Sequence, residues 1–289
     1  MPFLAILRHD LRTLRESWLV RIWLVATALV AILLAMSNWA RFPTAPLIAS
    51  LLFPYLVFPW ALVVMVLGVN PVSGSRLEPL ADGFLSRPVT RHEYLLAVWA
   101  ARVVAVLGVY FLVVLPMVLV VTLANRPAPE DHVTLYGVIA AMAVVALVLT
   151  FQVSLAFLMG TLLRRPLLAI VLLLFFWYPL DMLLHTFKLE SFSPISLSQA
   201  LPTLLRQPWH SGEADSASAD IDIEAFKRLP TTFKGLLFGG TPQEPEAKAG
   251  FYESTDYRDF SLLRVLLGYG IPTLAAVGLS ILCFCWRDL

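Results

Sequence analysis

Six stretches of this 289-residue chain, at about 22–40, 46–69, 94–124, 133–160, 167–185 and 262–286, carry almost no charge. Each is about the length of the roughly twenty apolar residues that a helix needs to cross a hydrocarbon core. With a mean hydropathy of +0.78 and 14% charged residues, against about one quarter in soluble domains, the chain has too little polar surface to cover a water-soluble fold of this size. The expectation is an all-α integral membrane protein with six transmembrane helices. The third and fourth runs exceed what a bilayer requires, which predicts tilt or extension beyond it. Pro54 and Pro59 in the second run and Pro116 in the third are expected kink sites, because proline has no N–H to give the preceding turn.

Charge in the short connections predicts an orientation. One side collects Arg8, Arg12, Arg15 and Arg21, then Arg76, Arg87 and Arg91, then Arg164 and Arg165, and finally Arg287. The short loops of the other side hold only Arg41 and Arg126. An even number of spans then puts both termini on the arginine-rich, cytoplasmic side. Before the first span, residues 3–20 place Phe3, Leu4, Leu7, Leu11, Leu14 and Trp18 at helical spacing, with Arg8, Arg12 and Arg15 on another face. That is the pattern of an interfacial helix facing the lipid bilayer and its anionic headgroups.

The segment 186–260 is expected on the opposite, extracytoplasmic side. Within it, 193–209 and 222–238 have amphipathic spacing, and "SGEADSASAD" at 211–220 reads as an acidic linker. The reading is of two short helices over the mouth of the bundle, with a surface for a possible extracytoplasmic protein.

Chemistry is sparse. There is no GxxxxGK[ST] phosphate loop, since the glycines of "KGLLFGGT" lack the lysine, and neither HExxH nor GxSxG occurs. Cys283 and Cys285, two residues apart on a helix, point to opposite faces and do not chelate. The candidates for a substrate or gating role are Asp181 and His185, one turn apart in the fifth span, and Gln152 in the fourth. Arg102 is placed to snorkel toward the headgroups, and Arg264 to anchor the far interface. Trp23, Trp39, Trp60, Trp99, Trp177 and Trp286 are read as interfacial anchors.

The polar stretch "SRLEPLADGFLSRPVTRHEYLL" at 75–96 stands out between the second and third spans. Leu77, Leu80, Phe84 and Leu85 recur at helical spacing with Arg76, Glu78 and Asp82 between them. A short helix is expected, stopped by Gly83 and Pro88, followed by a new helix with Thr90 as N-cap and Glu93 at N3. The whole region 70–93 forms this loop.

Here the sequence resembles the permease subunits of ABC type-2 exporters. Their loop between the second and third spans reads like "GxLxxLLSxPVSRxEyllgK", and Gly83, Leu85, Ser86, Pro88, Val89, Arg91, Glu93, Tyr94 and Leu95 match it. "GTLLRRPLLA", which includes Arg164 and Arg165, and the ending "CFCWRDL" are similar to that family's second cytoplasmic turn and its tail. The resemblance in layout covers essentially the whole chain. Two departures stand: Glu78 and Asp82 are both candidates for the family's acid before the glycine, and Val98 occupies the place of its frequent lysine.

The resemblance implies a non-enzymatic transport subunit in the inner membrane of a bacterium, working as a pair with a second copy of itself or a related permease. It implies a coupling helix at Arg76, Glu78, Asp82, Gly83, Phe84, Arg87, Pro88 and Arg91 that docks into a separate ATP-binding cassette ATPase subunit. That subunit would hold the ATP and Mg, with no cofactor on this chain and no nucleic-acid partner. Two other classes stay open: a membrane scaffold or assembly factor using 186–260, and an intramembrane lipid-modifying enzyme using Asp181 and His185.

Overall fold

The structure is a computed structural model that describes residues 2–57, 59–74, 90–124, 126–127, 131–163, 165–186, 193–206 and 262–287. It contains α1 (Pro2–Glu16), α2 (Trp18–Asn38), α3 (Thr44–Leu56), α4 (Trp60–Gly74), α5 (Arg91–Leu123), α6 (Leu135–Leu162), α7 (Pro166–Thr186), α8 (Pro194–Leu205) and α9 (Leu262–Arg287). No strand occurs among the described residues. Among the described residues, five helical stretches are long and apolar enough to cross a membrane: α2, Thr44–Val69 (made of α3 and most of α4), α5, α6 and α9. Of α7, the run Pro166–Phe175 is a shorter apolar helix among the described residues. The chain reads as a multi-pass membrane protein.

On α2, Val20, Trp23, Thr27, Ala31 and Ala35 share one buried face, while Ile22, Val25, Leu29, Ile32 and Met36 are exposed on the other. Small residues toward the bundle let neighbouring backbones approach, and large ones outside meet acyl chains. α6 is buried nearly all round and packs against α4, α9, α5, α8, α3 and α7. A helix apolar on every side belongs at the centre of a membrane bundle, and α6 sits there.

α4 and α6 cross in close contact. A Cβ added to Gly68 would lie 2.5 Å from the Ala156 Cβ, and one added to Gly160 would lie 2.6 Å from the Val69 carbonyl oxygen. Ala156 and Gly160, four residues apart, make the small-xxx-small face that such a crossing requires.

The second apolar run is two helices rather than one. α3 ends at Leu56, Val57 leaves helical geometry (φ −110°, ψ −89°), and α4 restarts at Trp60. Pro59 is the physical cause: it has no N–H for the Tyr55 carbonyl, and its own carbonyl accepts from Leu62 N at 3.2 Å to begin the next helix. Pro54 and Pro116, by contrast, lie inside continuous helices.

α1 lays its apolar face on the bundle: Leu14 is buried, Leu7 and Leu11 pack against the core, and the helix runs along α5, while Arg8, Arg12 and Arg15 are exposed. α8 packs on the bundle, with Leu197, Ala200, Leu201, Leu204 and Leu205 buried against α3 and α6. Trp23, Trp60 and Trp177 are buried against other helices, whereas Trp286 is 81% exposed.

Candidate functional site

The loop with the family-like motif sits between two well-defined helix ends. Arg76, Glu78, Asp82, Gly83, Phe84, Arg87 and Pro88 lie outside the described residues, as does Arg164. What is described is the frame. α4 runs to Gly74, and α5 begins at Arg91 behind an extended Thr90, whose hydroxyl accepts from Glu93 N at 3.4 Å. The expected N-cap is therefore present, and it satisfies one of the four orphan donors of the first turn. From there α5 continues for 33 residues, about 50 Å, to the opposite end of the bundle. Arg165 is exposed in the short turn that leads into α7.

Beside the start of α5, α1 brings a carboxylate to a guanidinium. Asp10 faces Arg102, and burial pushes its carboxyl above the usual range, with Arg102 and then His9 opposing the shift. Arg102 Nε is buried and has no hydrogen-bond partner among the described residues. One turn earlier, Leu95 and Val98 of α5 close on Phe157 of α6, with Ile6 of α1 and Ile281 and Phe284 of α9 packed around them. Trp99 Nε1 donates to Ser154 Oγ at 2.9 Å, which ties α5 to α6. Four helices thus meet where α5 emerges from the loop.

Gln152 is on α6 and 1% exposed, yet neither amide atom has a hydrogen-bond partner among the described residues. Asp181 and His185 are four residues apart on α7, one turn along the helix.

At the opposite end the structure assembles a polar clasp that the sequence reading did not single out. The Asp131 side chain is 7% exposed and accepts from Ala45 N, in the first turn of α3, at 2.8 Å. The same carboxylate accepts from Arg206 Nε at 2.8 Å and Nη2 at 3.3 Å. A carboxylate at a helix N-terminus is favoured by both the free N–H and the dipole. Nearby, Arg126 donates to the carbonyls of Trp39 and Phe42 at 3.3 Å each and to Thr44 Oγ1 at 2.6 Å, and its guanidinium lies 5.6 Å from the Trp39 ring centre. Burial lowers the Arg126 pKa below its ordinary value, and Asp131 opposes that shift. Thr134 N and Oγ1 both donate to the Leu205 carbonyl, at 3.0 and 3.4 Å, and the Thr134 hydroxyl also accepts from Gly137 N. Gly137 lies against the last turn of α8, where an added Cβ would come within 2.6 Å of the Leu204 oxygen. The clasp joins the α2–α3 turn, the approach to α6 and the end of α8.

No residue cluster with the composition of a metal site occurs among the described residues. No protein-family model matches the sequence, and no curated protein matches it significantly.

Proposed function

We propose that this chain is the membrane-spanning permease subunit of an ATP-binding cassette exporter, paired with a second copy of itself or a related permease and driven by separate ATPase subunits on the cytoplasmic side. The observation that carries the reading is the motif at 83–95 together with the Thr90-capped helix that grows out of it. A capped restart fixes the angle between loop and span, so a push on the loop moves α5 as a unit rather than fraying its first turn. In this reading six spans cross the membrane, α7 is the fifth, and both termini are cytoplasmic. The residues from Arg76 to Arg91 sit against the ATPase subunit, with Arg87 and Arg91 supplying positive charge to its cleft and Glu78 or Asp82 the acid. ATP and Mg belong to that partner; this chain converts its closure into tilting of the spans. The apolar interior favours lipidic or amphipathic cargo.

The test is co-purification of the full chain with the ABC ATPase subunits of its source organism, followed by ATP-dependent cargo movement in proteoliposomes. Arg87→Glu with Arg91→Glu should abolish complex formation while leaving the permease folded. Absence of any co-purifying ATPase, together with unchanged function of the double variant, would refute the coupling role.

A further inference from the structure

We infer that the corner between α1 and α2 holds the phosphate of an anionic phospholipid, gripped by Arg15 and Arg21, with an acyl chain of the same lipid lying along the exposed face of α2. This site is independent of the permease reading.

The apolar side of α1 is already spent on protein. Leu7, Leu11 and Leu14 face the bundle, and Ile6 packs beside Leu95 and Val98 of α5. Arg8, Arg12 and Arg15 stand on another, exposed face, within about 60° of one another around the helix. Arg12 is matched there by Glu16, 3.1 Å from its Nε to the carboxylate. Arg8, Arg15 and Arg21 form no ion pair among the described residues.

Arg21 turns back across the corner. Its Nε donates to the Arg15 carbonyl at 3.2 Å, one of the last carbonyls of α1, which have no donor within their own helix. That bond draws the Arg21 guanidinium from α2 onto the end of α1 and leaves its two terminal nitrogens facing outward. Two exposed arginines thus meet at one corner with no carboxylate between them. A phosphate suits them, because each guanidinium offers a planar fork of N–H groups to its oxygens.

The surface beside the corner selects a lipid over a free anion or an acidic protein. Trp18, Ile22, Val25, Leu29 and Met36 share one face of α2 and are between 55% and 77% exposed. From Trp18 to Met36 this stripe rises about 27 Å, close to the roughly 30 Å of a hydrocarbon core. Its ends therefore lie at the two boundaries of the bilayer, and Trp18 sits at headgroup level, where indoles prefer to be. Arg15 and Arg21 are each three residues from Trp18, so they stand at the same height. Phosphate at the arginines and acyl chain on Ile22, Val25 and Leu29 belong to one molecule. An acidic protein would match the charge and leave the apolar stripe uncovered.

The test reconstitutes the full chain into nanodiscs of equal parts phosphatidylglycerol and phosphatidylethanolamine. Native mass spectrometry then counts the lipids retained on the released protein. Phosphatidylglycerol should be in excess, because the phosphate of phosphatidylethanolamine is already offset by its own ammonium. In Arg15→Gln with Arg21→Gln the excess should fall roughly ten- to thirtyfold, the loss of two arginine–headgroup attractions. Arg8→Gln with Arg12→Gln takes two arginines from the same helix and should lower it much less. Each readout is a ratio of two lipids on the same molecules, so the yield of folded protein does not enter. Neither inorganic phosphate nor glycerophosphoglycerol, the headgroup without chains, should displace the lipid. Displacement by either would assign the corner to a free anion, and equal losses in the two double variants would reduce it to diffuse charge. An unchanged excess without Arg15 and Arg21 would leave the corner to solvent or to a protein. Any of these three results overturns the site.

Discussion

The crossing of α4 and α6 predicts a rescue that only close contact can produce. Gly68→Ala would put its new methyl carbon 2.5 Å from the Ala156 Cβ and 3.1 Å from the Val153 oxygen. Unstrained carbons stand about 3.5–4.0 Å apart, so the helices must separate by roughly 1 Å along their tightest stretch. Overpacking of this kind costs about 1–3 kcal/mol, even though alanine is the better helix former. Ala156→Gly alone should cost about 1 kcal/mol through helix propensity and lost contact. Independent effects would make the double variant the least stable of the three. Because Ala156→Gly removes the clashing atom, the double variant should instead be more stable than Gly68→Ala, with a coupling of about 1–3 kcal/mol. The residual approach to the Val153 oxygen keeps it below wild type. Gly160→Ala has no such remedy, because it meets Val69 backbone atoms on all three nearest contacts. Unfolding by SDS in mixed micelles, followed by helical circular dichroism, measures all four variants. A double variant less stable than Gly68→Ala would refute the crossing.

Other outcomes follow from the clasp and from α1. Asp131→Ala strands both the Ala45 N–H and a guanidinium and should cost about 2–3 kcal/mol, whereas Arg206→Ala, removing a 46% exposed side chain, should cost less than about 1 kcal/mol; the same SDS titration checks the order. Gly137→Ala should loosen the end of α8, read as faster amide hydrogen exchange over Leu201–Leu205 than in wild type. The raised Asp10 pKa means that the folded state holds this proton more tightly than the unfolded chain does. Its contribution to stability is therefore full below the ordinary carboxylate pKa and is lost as pH rises through the raised one. Asp10→Asn should flatten that fall, and melting curves between about pH 4 and pH 8 test it against wild type.

How much of this was legible beforehand depends on the range of each interaction. The Thr90 cap and the break at Pro59 were readable because both are local: a hydroxyl three residues from the N–H it accepts, and a ring that removes one specific donor. The long apolar runs were readable because lipid imposes a length on any helix that crosses it. Asp131 and Arg206 were not, since 75 residues separate them and each alone is an ordinary loop charge. Arg126 was visible only as a weak topology signal, and its grip on Trp39, Phe42 and Thr44 is equally long-range. The burial of α8 escaped detection because an amphipathic twelve-residue helix has the same spacing whether its apolar face meets lipid or a groove between two helices. Trp23 was read as an anchor for a similar reason: its distance from the span end says nothing about which face it occupies.

The central position of α6 also bears on how the molecule is made. During synthesis α4 and α5 precede α6, so the glycine crossing can lock as soon as Ala156 and Gly160 have entered the membrane. The neighbouring face, where Phe151 packs edge-on to Tyr269 at 5.5 Å, has no partner until the last helix has been translated. Between those moments the central helix of the finished bundle presents an open flank to lipid. A ribosome stalled before α9 therefore leaves a half-assembled bundle whose exposed side is the future centre.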